Sequence, residues 1–121
     1  MRSPVLRWPG PDEVLEALGR WVRDEAGRHP ELRRLGYFGS YARGDWGPGS
    51  DLDLVAVVAR SAEPFERRGL SWRTEELPVP AELLVYTEAE WAELQARADP
   101  FAKTLAREVR WVWPPSGGRN P

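Results

Sequence analysis

Apolar residues recur in the first quarter of the chain at helical intervals and then give way to short strand-like runs. Val14, Leu15, Leu18, Trp21, Val22 and Ala26 fall three and four apart, which puts them on one stripe of a helix. Asp12 stands where a capping residue belongs. His29-Pro30 ends the helix, because the residue before a proline is pushed out of helical geometry. Leu35 to Phe38 reads as a first strand and residues 51–58 as a second. From Leu54 to Val58 the second run is continuously apolar, so it is expected to be the central strand, buried on both faces.

The middle of the chain is less regular. Ala62 to Leu70 reads as a short helix or a loop, Ser71 to Leu77 as a poor edge strand, and Leu83 to Tyr86 as a third good strand. Thr87-Glu88-Ala89-Glu90 has the spacing of a capping box and predicts a helix through about Arg97. Asp99-Pro100 supplies a cap and a first-turn proline for another helix ending near Val109, and Arg110 to Trp113 suits a last short strand. The sum is an α/β fold, a mixed sheet of four to five strands with helices packed mainly on one face. Residues 12–113 form its domain, residues 1–11 a Pro-rich extended arm, and residues 114–121 a flexible tail.

Composition narrows the range of functions. A length of 121 residues suits one domain with a modest core and leaves no room for a second, substrate-holding domain. The net charge of −2 argues against a strongly cationic nucleic-acid binder, although it allows a local basic patch. Without cysteine there is neither a disulfide framework nor a thiolate metal site. No apolar stretch reads as a secretion signal or a membrane span, so a cytoplasmic protein is expected.

The chemistry concentrates in Gly39 to Leu54, GSYARGDWGPGSDLDL. Asp51 and Asp53 alternate with Leu52 and Leu54, so both carboxylates project from one face of an extended strand. Paired carboxylate oxygens attract hard divalent cations, and Mg²⁺ characteristically takes one or two carboxylates plus substrate phosphates. Ten residues separate Ser40 from Asp51, and Gly39 just before Ser40 allows close backbone approach. Ser40 offers an N–H and a hydroxyl at the start of a short helix, groups suited to anionic oxygens. Arg43 could contact phosphate through its guanidinium fork or simply be solvated, and the sequence does not decide between the two.

This segment resembles the signature of the DNA polymerase β nucleotidyltransferase superfamily: Gly-Ser, about ten residues, then Asp-x-Asp. Arg43-Gly44 and the turn Gly47-Pro48-Gly49-Ser50 also resemble its small members, the minimal nucleotidyltransferases (MNT). The motif covers about one eighth of the chain, which carries no second signature of equal strength. The resemblance implies the nucleotidyltransferase fold, two Mg²⁺ ions when nucleotide is bound, and transfer of a nucleoside monophosphate, AMP from ATP above other triphosphates. It also implies a third acid on a neighbouring strand. That acid is usually Asp. Here the candidate is Glu82, with Glu75 and Glu76 as local alternatives. Catalysis and metal binding are thus expected of Asp51, Asp53 and Glu82, and nucleotide binding of Gly39, Ser40 and Arg43.

Minimal members of the family act as antitoxins of small helical HEPN proteins, some by attaching AMP to a tyrosine of the partner, so a HEPN-type partner protein is implied. A homo-oligomer is also compatible. A non-catalytic antitoxin that works by occlusion is the competing reading, supported by Glu in place of the usual Asp. A small-molecule adenylyltransferase ranks third, since such enzymes carry a further domain. The seven tryptophans suit core or interface packing, with Trp46 alone kept as a base-stacking candidate. Lys103 and His29, the sole lysine and histidine, read as a solvent-facing helix residue and a helix-terminus residue.

Overall fold

A computed structural model of the chain describes residues 8–97 and 99–115. Most of the expected arm, at residues 1–7, and of the expected tail, at residues 116–121, lies outside the described residues. The elements run α1 (Pro11–Arg28), β1 (Leu32–Phe38), α2 (Ser40–Arg43), β2 (Leu52–Val58), β3 (Ala81–Thr87), α3 (Glu88–Arg97), α4 (Pro100–Glu108) and β4 (Arg110–Trp113). Two 3-10 segments, Phe65–Ser71 and Thr74–Glu76, lie between β2 and β3.

The four strands form one sheet in the order β3-β2-β1-β4. β1 runs antiparallel to both β2 and β4, and β2 runs parallel to β3, so the sheet is mixed as expected. β2 is interior, and its apolar run is buried on both sides. Leu52, Leu54, Ala56 and Val58 join a core with Val14, Leu18, Trp21 and Val22 of α1, while Val55 and Val57 join Trp91 and Leu94 of α3 and Ala102 and Leu105 of α4. The α/β fold with a mixed sheet stands as read, and its helices divide between the two faces. α3 and α4 share one face, and α1 with the irregular β2–β3 connection covers the other. A strand that is apolar on both faces needs cover on both.

Two local readings also change. α1 starts one residue before Asp12: Gly10 is the cap, Pro11 takes the first helical position, and Glu13 Oε1 accepts the Gly10 N–H at 2.9 Å. Within its buried stripe sits a carboxylate, Glu25, at 1 % exposure, satisfied by Arg28 Nη1 at 2.8 Å and the backbone N–H of Arg73 at 3.3 Å. The segment from Ser71 to Leu77 is not a strand. Its chain instead turns through a 3-10 segment that sinks Trp72 and Leu77 into the α1-side core, fixed where Trp21 Nε1 donates to the Arg73 carbonyl at 2.8 Å.

The capping box at α3 forms as read. Glu90 N–H donates to Thr87 Oγ1 at 3.1 Å, and Thr87 N–H donates to Glu90 Oε1 at 2.9 Å. Arg68 adds a two-pronged contact to Glu90 at 2.6 and 3.1 Å, and with the Thr87 N–H it holds the carboxyl down to about 2. A depressed carboxylate pKa contributes stability above its ordinary value of 4.5 that is lost as the pH falls toward about 2. Because the side chain is 40 % exposed, screening limits the effect. Glu90→Gln is expected to cost about 1 kcal/mol in urea unfolding at pH 7, and the gap from wild type should close as the pH is lowered through that window.

Candidate active site

The sequence-predicted residues meet at one end of the sheet, where β1 finishes and β2 and β3 begin. β1 delivers Gly39 at its carboxyl end, with φ +76°, a conformation in which a side chain is strained. Its carbonyl accepts the N–H groups of Ala42 and Arg43 at 3.0 and 2.9 Å, which folds Ser40–Arg43 into one short helical turn. A Cβ at Gly39 would collide with Asp53 Oδ2, so the small residue is what lets the turn lie directly against the acidic strand.

The loop before Asp51 is closed by its own polar groups. Gly47 N–H donates to Ser50 Oγ at 2.8 Å, and Ser50 N–H donates to the Gly47 carbonyl at 2.9 Å. Asp51 follows, exposed, just outside β2. Asp53 lies within the strand and is half-buried. In the parallel ladder Asp53 is level with Glu82, and in the antiparallel ladder it is level with Phe38. Level residues on neighbouring strands are about 5 Å apart and point to the same face, so Glu82 stands beside Asp53. Glu75 and Glu76 lie in the 3-10 turn instead, and neither shares a ladder position with the pair.

Burial raises the Asp53 pKa above the ordinary carboxylate value, and the negative charges of Glu82, Asp51 and Glu108 add to the rise against an opposing Arg43. The donor set is oxygen only, as a hard divalent cation requires. Among the described residues, however, no group of three or more His, Cys, Asp or Glu side chains converges closely enough to hold an ion by itself. Asp51, Asp53 and Glu82 therefore offer an open set of carboxylates. Glu82 is exposed.

Glu108, the last residue of α4, is a member of the site that the sequence reading missed. Its Oε1 accepts the Gly39 N–H at 3.1 Å, and its carboxylate pairs with Arg43 Nη1 at 3.3 Å. Arg43 also pairs with Asp45 at 3.0 Å, and both acidic partners push its pKa upward. The available sequence signal was a helix that ends on an acid, where the negative end of the helix dipole disfavours one. Trp46 stacks on Tyr41, with ring centroids 6.1 Å apart, and packs against the core. His29 caps α1 and stacks on Trp72 at 3.9 Å, and Lys103 is exposed on α4.

A mixed sheet with an Asp-x-Asp pair at the start of an interior strand and a Gly-Ser turn ending the strand beside it defines a nucleotidyl-transferring class of α/β domain. The family model for the nucleotidyltransferase domain matches residues 20–111, about three quarters of the chain, and the chain belongs to that family. Among solved structures, it is similar to a candidate nucleotidyltransferase from Sulfolobus solfataricus, with TM-score 0.61, 19% identity, and coverage of 85% of this chain and 82% of that one. It is also similar to a chain of a toxin-antitoxin structure with AMP-PNP, with TM-score 0.51, 19% identity and coverage of 87% and 73%. A chain of a MntA-HpeT toxin-antitoxin variant gives TM-score 0.50 at 16% identity, with coverage of 87% and 73%. At these identities the likeness concerns the fold. No curated protein matches the chain. Among the described residues, no helix is long and apolar enough to cross a membrane.

The raised Asp53 pKa has a definite sign. Protonated Asp53 contributes stability that is fully present below the ordinary value of 3.8 and is lost as the pH rises through the raised native value. Asp53→Asn is therefore expected to raise Tm at pH 7 without divalent cation by about 1–3 °C, with no difference from wild type at the acid end. Gly39→Ala, strained in φ and overlapping Asp53, is expected to cost about 1–3 kcal/mol in chemical unfolding.

Proposed function

We propose that the chain transfers a nucleoside monophosphate, AMP from ATP, to a hydroxyl of a partner protein, and that it does so as the antitoxin of a toxin-antitoxin pair. The supporting observation is that Asp51, Asp53 and Glu82 share one end of the sheet with the Gly39-Ser40 turn. In this reading Asp51 and Asp53 hold divalent metal, with Glu82 completing the set or taking the proton from the attacking hydroxyl. Mg²⁺, as two ions with nucleotide bound, supplies charge neutralisation at the phosphates. Ser40, Gly39 and Arg43 hold the triphosphate oxygens, and Ser40 contributes both its N–H and its hydroxyl. The acceptor oxygen forms a bond to the α-phosphorus, the bond from that phosphorus to the α–β bridging oxygen breaks, and pyrophosphate leaves.

In this reading a partner protein is the favoured acceptor. The family resemblance and the fold shared with a toxin-antitoxin chain favour a small helical HEPN-type partner. One observation favours a second reading, in which the chain neutralises its partner by occlusion alone. The third acid is a longer, exposed Glu, and the carboxylates do not close on an ion unaided.

Calorimetric titration of Mg²⁺ with ATP into wild type and into Asp51→Asn/Asp53→Asn separates these readings. Metal-dependent binding by wild type, lost in the double variant, is expected. Absence of binding to any nucleoside triphosphate by the folded protein, both with Glu108 present and with it replaced, would overturn the enzymatic reading. So would a double variant that still fully neutralises the partner.

A further inference from the structure

The carboxylate of Glu108 occupies two of the groups assigned above to the triphosphate. Its Oε1 accepts the Gly39 N–H at 3.1 Å, and the same carboxylate takes Arg43 Nη1 at 3.3 and 3.4 Å. An N–H can serve one strong acceptor at a time. The guanidinium is further committed through Nε to Asp45 at 3.0 Å. A phosphate oxygen presents the same geometry and charge type as this carboxylate, so the two compete for the same donors.

We propose that Glu108 is an intramolecular stand-in for a phosphate group, an autoinhibitory latch that incoming nucleoside triphosphate displaces from Gly39 and Arg43. The latch rests on the nucleotide-site reading given above. Its position suits displacement. Glu108 ends α4, where the helix dipole disfavours an acid, and its charge is repelled by nearby Asp53. Its side chain retains 18 % exposure and so has a path toward solvent. Arg43, half-exposed, is free to follow the phosphate once Glu108 leaves. Nucleotide affinity is therefore set by a difference, the triphosphate's contacts minus the latch contacts that it replaces.

The test is calorimetric titration of Mg²⁺ with ATP into wild type, Glu108→Ala and Glu108→Gln, each checked for folding by circular dichroism. Asp51→Asn/Asp53→Asn is the binding-dead control. Removing the latch is expected to tighten ATP binding about tenfold in Glu108→Ala, with a smaller gain in Glu108→Gln, whose amide oxygen still accepts the Gly39 N–H without the charge. Binding by Glu108→Ala where wild type binds too weakly to measure also supports the latch. Unchanged or weakened affinity in folded Glu108 variants, with wild type binding normally, overturns the latch and leaves the nucleotide site standing. Failure of wild type and both variants to bind ATP while folded overturns the latch and the nucleotide site together. If Glu108→Ala does not fold, Glu108→Gln carries the comparison, and no gain in affinity there overturns the latch.

Discussion

The structure depends on β2 being buried on both faces. An interior strand whose alternate residues face two separate cores cannot slide by one position, because the shift would exchange Leu54, Ala56 and Val58 with Val55 and Val57 and mismatch both packings. Register is therefore fixed from both sides, and so is the level at which Asp53 emerges. Asp53 occupies the α3–α4 face of the strand, the parity of Val55 and Val57, at the point where apolar cover ends. A carboxylate there is half-buried because the strand beneath it is rigid, and the elevated pKa follows from that placement.

The same rigidity gathers charges that would separate in a softer frame. Glu82, Asp51 and Glu108 raise the electrostatic cost of ionising Asp53, with Arg43 as the nearby counter-charge. Such an arrangement works against the stability of the isolated fold, and it persists because two cores over-determine the strands that carry it. Repulsion among oxygen donors is also what makes a divalent cation favourable at such a site, since the ion relieves a cost already incurred in folding. The accommodation is steric as well as electrostatic. Gly39 has to be a glycine because Asp53 occupies the space of its missing side chain.

Much of this was legible in the sequence. Alternation of Asp51 and Asp53 with leucines, continuous apolarity from Leu54 to Val58, and the box from Thr87 to Glu90 are local signals, and each maps onto a local structure. The ladder position of Glu82 followed from reading Leu83 to Tyr86 as a strand beside β2. What escaped depended on contacts distant in sequence. Ser71 to Leu77 carries a strand-like composition, but Trp72 and Leu77 are drawn into the α1 core and the chain coils to place them. Glu25 sits on an apolar stripe because an Arg73 N–H, 48 residues away, needs an acceptor. Glu108 meets Gly39 across 69 residues, and no spacing rule reaches that far.

That last contact joins the two layers of the molecule. The Gly39 turn is held from the α1 side, where Leu35 and Tyr41 are buried in the larger core, whereas Glu108 is carried by α4, anchored through Ala102 and Leu105 in the smaller one. The two cores are separated by the sheet along most of its length, and at the end of β1 one hydrogen bond and one ion pair link them directly. The site is thus the place where the α1 layer and the α3–α4 layer meet over a shared set of polar groups. Its geometry reports on the packing of both. The Gly39 N–H takes its acceptor from α4, while β2, paired on both sides with β1 and β3, holds Asp53. The two halves of the site thus belong to different elements: Asp53 and Glu82 stand level on paired strands, and the Gly39 N–H and Arg43 lie against a residue at a helix end.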